Sequence, residues 1–200
     1  MLTDEQLLMD YGRGRGDALA ELIRRYQQEL YAFLHRYVND QNVAEDLFQE
    51  TFVQVHRSAA RFDTERRFRP WLFTIAANKA RDHLRVAGRR HTQSLDQTMG
   101  KEGETGLVDL LASDVPTPPM ELSGEEDIAA VRKVLSEMAV IYKEVLMLSF
   151  FQQMSYKEMA ETLGVPLGTV KSRLHSAVAV FAKSYGGIGE RQEARGGKPG

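Results

Sequence analysis

The side chains able to do chemistry in this 200-residue chain are of two kinds, scattered acid–base groups and clustered cations. Carboxylates at Asp46, Glu50 and Asp82 and imidazoles at His35, His56 and His83 are the raw material for hydrolysis. None of them falls on a metal-ligand spacing or beside a recognisable nucleophile motif. With no cysteine in the chain, a disulfide framework, a thiolate zinc site and a cysteine nucleophile are all excluded. No catalytic residue, metal or cofactor is therefore expected, and an enzyme acting on nucleic acid is the weakest of the readings. The cations are more telling. Arg57, Arg61, Arg66, Arg67, Arg69, Lys79, Arg81, Arg85, Arg89 and Arg90 are interleaved with Phe62, Phe68, Trp71 and Phe73. Basic groups that follow a phosphate backbone, beside rings on which bases stack, suit single-stranded nucleic acid. Trp71 and Phe73 read as core residues, which leaves Phe62 and Phe68 for an exposed role.

A second cluster lies between Ser155 and Leu174. Ser155 and Glu158 have capping-box spacing and start a helix at Tyr156. Ala160 is small where two helices would cross, Gly164 can take the positive φ that ends the first helix, and Pro166 blocks its continuation. Val170 and Leu174 point a second helix back to the core. This is the spacing of a DNA-reading helix-turn-helix, whose second helix would offer Lys171, Ser172, His175 and Ser176, with Arg173 toward a flank. The plainer alternative is a helical hairpin whose polar side chains only face water.

Helical periodicity positions both clusters, and no strand alternation is found. An apolar stripe runs from Asp17 to about Val38, and a second helix from about Val43 to Ala60 carries Glu45, Asp46, Gln49 and Glu50 on one acidic face. Pro70 fits the first turn of a third helix that Gly88 would end. Periodicity then lapses from His91 to about Asp127, an acidic stretch holding Pro116, Pro118 and Pro119 that reads as a flexible tether. It resumes at Ile128. Six glycines and a proline between Gly186 and Gly200 suggest a disordered tail. The expected fold class is all-α, with two small helical domains at 1–91 and 128–184, a linker at 92–127 and a tail at 185–200.

A net charge of −2 argues at first against a nucleic-acid partner. Its distribution reverses that inference. Residues 1–55 hold 5 basic against 10 acidic groups, residues 56–91 hold 10 against 3, residues 92–127 hold 1 against 9, and residues 128–200 hold 10 against 6. Neutrality is a cancellation between blocks of opposite sign. The starting Met-Leu-Thr-Asp-Glu-Gln is no signal peptide and no apolar run is long enough to span a bilayer, so a cytoplasmic protein without membrane insertion is expected.

Together these segments resemble a bacterial RNA polymerase sigma factor of the extracytoplasmic-function type, which contains only sigma regions two and four. Ala44-Glu-Asp-Leu-Phe-Gln-Glu-Thr-Phe52 is similar to the region 2.2 signature, Phe68 to Arg85 to region 2.3 and its approach, and Ser155 to Leu174 to region 4.2. The resemblance implies that Asp46, Gln49 and Glu50 dock on the β′ clamp helices of core RNA polymerase, with the β flap as a further contact. It implies that the loop carrying Phe62, Arg66, Arg67 and Phe68 captures a base flipped from the −10 element, and that Asn78, Lys79, Arg81, Asp82 and Arg85 line the separated strands. Flipping costs a few kcal/mol, which stacking and phosphate contacts must offset. Thr169, Lys171, Ser172, Arg173, His175 and Ser176 would read −35 duplex in the major groove. An anti-sigma factor is the further implied partner. The chain departs from the family pattern at His56, often Trp, at Gln153, commonly Gly, and at Ser176, frequently basic, so the promoter consensus does not carry over. The competing class is a helix-turn-helix regulator acting at operators; it would need a sensor domain in the N-terminal half, where neither strands nor a pocket pattern appear.

Overall fold

The computed structural model describes residues 2–92 and 125–196, with side chains for 2–87 and 129–187. The first helix, α1 (Asp4–Gly12), was not foreseen from apolar spacing. Its start is written in a Thr3–Gln6 capping box, and Leu7 and Leu8 bury its inner face. The following α2 (Gly16–Val38) buries Leu22, Tyr26, Leu30, Phe33, Leu34 and Tyr37, the stripe expected from the sequence. It ends where Asn39 takes φ 55°, a residue type that tolerates the left-handed region. Asp40 caps α3 (Gln41–Ser58) by accepting from the Val43 amide at 3.0 Å. A short 3-10 turn, Ala59–Arg61, leads to the basic loop and then to α4 (Phe68–Thr92). Pro70 sits in the first turn of α4, but Gly88 does not end the helix, which runs on to Thr92. Leu72, Phe73, Ala76, Ala77 and Ala80 press against α2 and α3, with Phe73 edge-on to Phe33 at 5.1 Å.

The second group of helices begins with α5 (Glu125–Glu137) and α6 (Val140–Leu146). Beyond α6 the backbone widens into a π-helical turn, Met147–Phe151, and the Gln152 amide bonds back to the Met147 carbonyl. The helix-turn-helix follows as α7 (Tyr156–Leu163) and α8 (Leu167–Gly196). Ser155 and Glu158 form the expected capping box, and Gly164 takes φ 65°. Val170 and Leu174 are buried as expected. The last helix continues through most of the segment expected to be a tail: Glu190-Arg-Gln-Glu-Ala-Arg195 consists of good helix formers, and no proline interrupts residues 167–196. The tether falls largely outside the described residues.

All described elements are helical, and the buried apolar residues form one continuous cluster from Leu7 to Phe181. The two groups meet chiefly where α7 lies on α4. Two left-handed residues give opposite expectations. Nothing lies within 4 Å of a Cβ built on Gly164, so Gly164→Ala carries only the backbone penalty and should lower stability by about 1 kcal/mol. Gln153 is exposed with φ 49°, where the family pattern has glycine, so Gln153→Gly should raise stability by up to about 1 kcal/mol. Urea unfolding of both variants checks the pair of signs.

Candidate nucleic-acid and partner interfaces

On α3 the spacing of Glu45, Asp46, Gln49 and Glu50 places all four on the solvent side, while Ala44, Leu47, Phe52 and Val55 face inward. Asp46, Gln49 and Glu50 line a shallow groove completed by Val53, Gln54 and Arg57 of the same helix and by Lys79 of α4. Val53 is 47% exposed, an apolar spot inside a polar rim. The Lys79 ammonium donates to Glu50 at 2.9 Å and so lies at the border between this groove and the basic side of α4. The cause is geometric: α3 and α4 are packed neighbours, and Lys79 lies on the edge of α4 turned toward α3.

The basic loop takes its shape from Asp63, whose carboxylate accepts from the Glu65 amide at 3.0 Å. Arg66 is exposed beside it. Phe62 is half-buried, its ring 4.7 Å from that of Trp71. Phe68 is fully buried against Tyr26 and Trp71 and cannot stack on a base from there. Its exposed role is corrected: Phe68 opens α4, and Phe68, Leu72 and Ala76 share the inner face at four-residue steps. The amide of Phe68 donates to the carboxylate of Glu5 at 2.9 Å. Thus α1, through Glu5, satisfies a helix-start donor that the loop leaves open. Next to Glu5, Asp4 is held by Arg25 at 2.7 Å and by the Tyr26 hydroxyl. Burial first, and this bond second, push the Tyr26 phenol well above its ordinary range.

Further along α4, Asn78, Asp82 and Arg85 are exposed, with Arg85 on Asp82 at 3.0 Å. Arg81 donates to Asn78 and, at 3.0 and 2.8 Å, to the buried carboxylate of Glu144 on α6. Burial works against the Arg81 charge, but Glu144 and Tyr37 beside it more than offset that and raise its pKa. Arg67 reaches Glu158 of α7 at 3.0 Å. Burial pushes the Glu158 carboxyl up, yet bonds from Ser155 and Arg67 outweigh it and hold it below its usual range. On the helix-turn-helix, Ser172 and His175 are exposed, while Thr169, Lys171, Arg173 and Ser176 are half-buried. The Lys171 ammonium leans over the Tyr156 ring at 5.8 Å. Among the described residues no group of acidic, histidine or cysteine side chains could hold a metal ion, and no helix is long and apolar enough to cross a membrane.

An acidic helix face beside a basic, aromatic-flanked helix start, on a chain that ends in a helix-turn-helix, defines a DNA-binding protein with a protein partner. Its sequence matches sigma-70 region 2 over residues 22–90 and sigma-70 region 4 over residues 128–179. It is 30% identical over 187 residues to an RNA polymerase sigma-H factor of Pseudomonas aeruginosa, covering 92% of this chain and 96% of that one. An ECF RNA polymerase sigma-E factor of Haemophilus influenzae is 32% identical over 176 residues, covering 88% and 92%. The fold is shared with CnrH in complex with the cytosolic domain of CnrY, at a TM-score of 0.64 and 24% identity over 90% of this chain and 95% of that one. It is shared also with the sigma factor RpoE in complex with the anti-sigma factor NepR from Bartonella quintana, at 0.62 and 23% over 82% and 94%. The chain belongs to the extracytoplasmic-function group of the sigma-70 family.

Sequence reasoning missed Glu5, Tyr37 and Glu144. The first shows itself only through the Thr3–Gln6 capping box, and the last through a Lys-Glu pair set inside an apolar run. Trp71 is the only tryptophan and rests on Phe62, so its emission reports the loop. Glu5→Ala should shift that emission and cost about 1 kcal/mol, whereas Glu5→Gln keeps an acceptor and should leave both near wild type.

Proposed function

We propose that the chain docks on core RNA polymerase through the α3 groove and reads promoter DNA at two places, without making or breaking bonds itself. Residues 1–91 form the polymerase-binding and −10 unit, and residues 128–184 the −35 unit. The observation that carries this reading is the division of sign between adjacent helices: α3 presents Asp46, Gln49 and Glu50 around exposed Val53, and α4 presents Arg81 and Arg85 beyond the basic loop. Carboxylates repel DNA and suit a protein partner, while guanidiniums follow phosphate.

In this reading the contacts to the melted −10 strand come from Phe62, Arg66, Arg67, Asn78, Lys79, Arg81, Asp82 and Arg85, with buried Phe68 as the platform beneath the loop. Phe62 must leave Trp71 or offer its open face for a flipped base to stack. Thr169, Lys171, Ser172, Arg173, His175 and Ser176 meet −35 duplex, with Ser172 and His175 best placed for base edges and Lys171 and Arg173 for phosphates. Work of this kind belongs in the cytoplasm, and a solved structure of similar fold bound to an anti-sigma factor supports a regulator of the same class for this chain.

Replacing Asp46 with Arg and Gln49 with Ala should abolish comigration with core polymerase in gel filtration, and with it promoter-specific run-off transcription, while circular dichroism stays unchanged. Undiminished comigration would remove α3 as the interface. Lys171→Ala with Arg173→Ala should weaken −35 duplex binding and reduce the slope of log K against log salt by about two. A duplex-binding protein that never associates with core would favour the operator-binding regulator.

A further inference from the structure

One helix, α1, holds both stems of the basic loop. On the entry side the Tyr11 hydroxyl and His56 Nδ1 share a hydrogen bond, with the two ring centres 5.8 Å apart. His56 lies just ahead of the 3-10 turn that leads into the loop, and α1 packs on that turn as well. On the exit side the Glu5 carboxylate accepts from the Phe68 amide. Asp4 beside it accepts from the Tyr26 hydroxyl, and the Tyr26 ring stands edge-on to Phe68 at 5.4 Å. The first turn of α1 therefore grips Phe68 twice, at its amide and, through Tyr26, at its ring. Phe62 and Trp71 rest on that same residue, at 6.4 and 5.9 Å.

His56 and Phe68 are twelve positions apart, and the chain between them could span about 40 Å if extended. Their partners Tyr11 and Glu5 are six positions apart on one helix, about 9 Å along its axis. A short rod fixed at both ends thus closes a segment that would otherwise sample many shapes. A loop held near its working shape loses less freedom when it takes a ligand. Leu7 and Leu8 already dock α1 by apolar burial, so the polar joints at its two ends act on the stems they hold. The stretch that matches sigma-70 region 2 starts only at residue 22, and His56 stands where the family pattern often has Trp. The splinting is therefore a property of this chain's own residues.

We propose that α1 is a splint for the −10 loop, and that Glu5 and Tyr11 are positioning residues that preform the loop for a flipped base. This rests on the reading of that loop as the −10 surface. Neither side chain meets the strand; each acts through the stem it holds. Loss of one joint should weaken base capture roughly three- to tenfold, the weight of one net hydrogen bond. The phosphate contacts and the α3 groove stay as they are.

The test assembles the full chain with core RNA polymerase and titrates two single-stranded DNAs of equal length, one of randomised sequence and one abasic throughout. Glu5→Ala and Tyr11→Phe should each bind the base-bearing strand roughly three- to tenfold more weakly. Both should bind the abasic strand as wild type does, comigrate with core unchanged, and shift the Trp71 emission. Glu5→Gln and His56→Asn keep a hydrogen-bonding group at the joint and should match wild type, whereas His56→Phe should behave as Tyr11→Phe. Undiminished binding of the base-bearing strand by both Glu5→Ala and Tyr11→Phe overturns the splint, even if the emission shifts. An equal loss on the abasic strand also overturns it, because phosphate contacts have then gone too. Lost comigration does the same, since α1 would then belong to the polymerase face. A wild-type assembly with no preference for the base-bearing strand overturns the −10 reading and the splint with it. A preference that the variants retain in full overturns the splint alone.

Discussion

The carboxylate of Glu144 has been drawn out of water, and the arrangement around it follows from the need to find that charge a partner. Desolvating an ion costs several kcal/mol, a debt that only good geometry and full hydrogen bonding offset. Tyr37 and Arg81 meet it from α2 and α4, so one carboxylate fixes the relation of three helices drawn from both halves of the chain. Burial first, then the neighbouring Glu144, push the Tyr37 phenol far above its ordinary range, which keeps it a donor at any pH the protein meets. Lys143 next door is pushed the other way, down, by burial alone. Lys143 has only the Tyr37 carbonyl at 3.4 Å, whereas the neighbouring Glu144 is met by a hydroxyl and a guanidinium.

The acidic and basic faces stand in a similar balance. A net charge near zero conceals α3 and α4 side by side with opposite signs, and the Lys79–Glu50 pair marks the border between them. Both side chains are partly exposed, so this pair stabilises little and serves as a boundary rather than a clamp. Separation over the width of two helices is still comparable to the screening length at physiological salt, so each face presents its own field to an approaching partner.

What could be read from the sequence was what depends on local spacing. The α2 stripe, the acidic side of α3 and the helix-turn-helix with its capping box and left-handed Gly164 are encoded within a few residues of where they act. What could not be read depends on residues distant in sequence. Phe68 is buried because Tyr26 and Trp71 close over it, Lys79 is claimed by Glu50 twenty-nine positions earlier, and Glu144 finds Tyr37 more than a hundred residues away. Gly88 and the glycines after Gly186 misled for a different reason: glycine weakens a helix by about 1 kcal/mol without ending it, and good helix formers nearby carry the helix through. Gln153 was legible as a departure from the family pattern, and its positive φ supplies the reason a glycine is usual there.

The π-helical turn at Met147–Phe151 is a single-residue surplus in the winding of the chain. Each residue of an α-helix turns the chain by about 100°. Loss of one residue here would rewind the turn to ordinary pitch and rotate α7 and α8 by roughly that angle about the local axis. The Gln152 carbonyl would then face away from Arg69, and the bond between them would be lost. The count of residues at this turn therefore acts as a gear ratio between α6, which carries Glu144, and the α7–α8 pair.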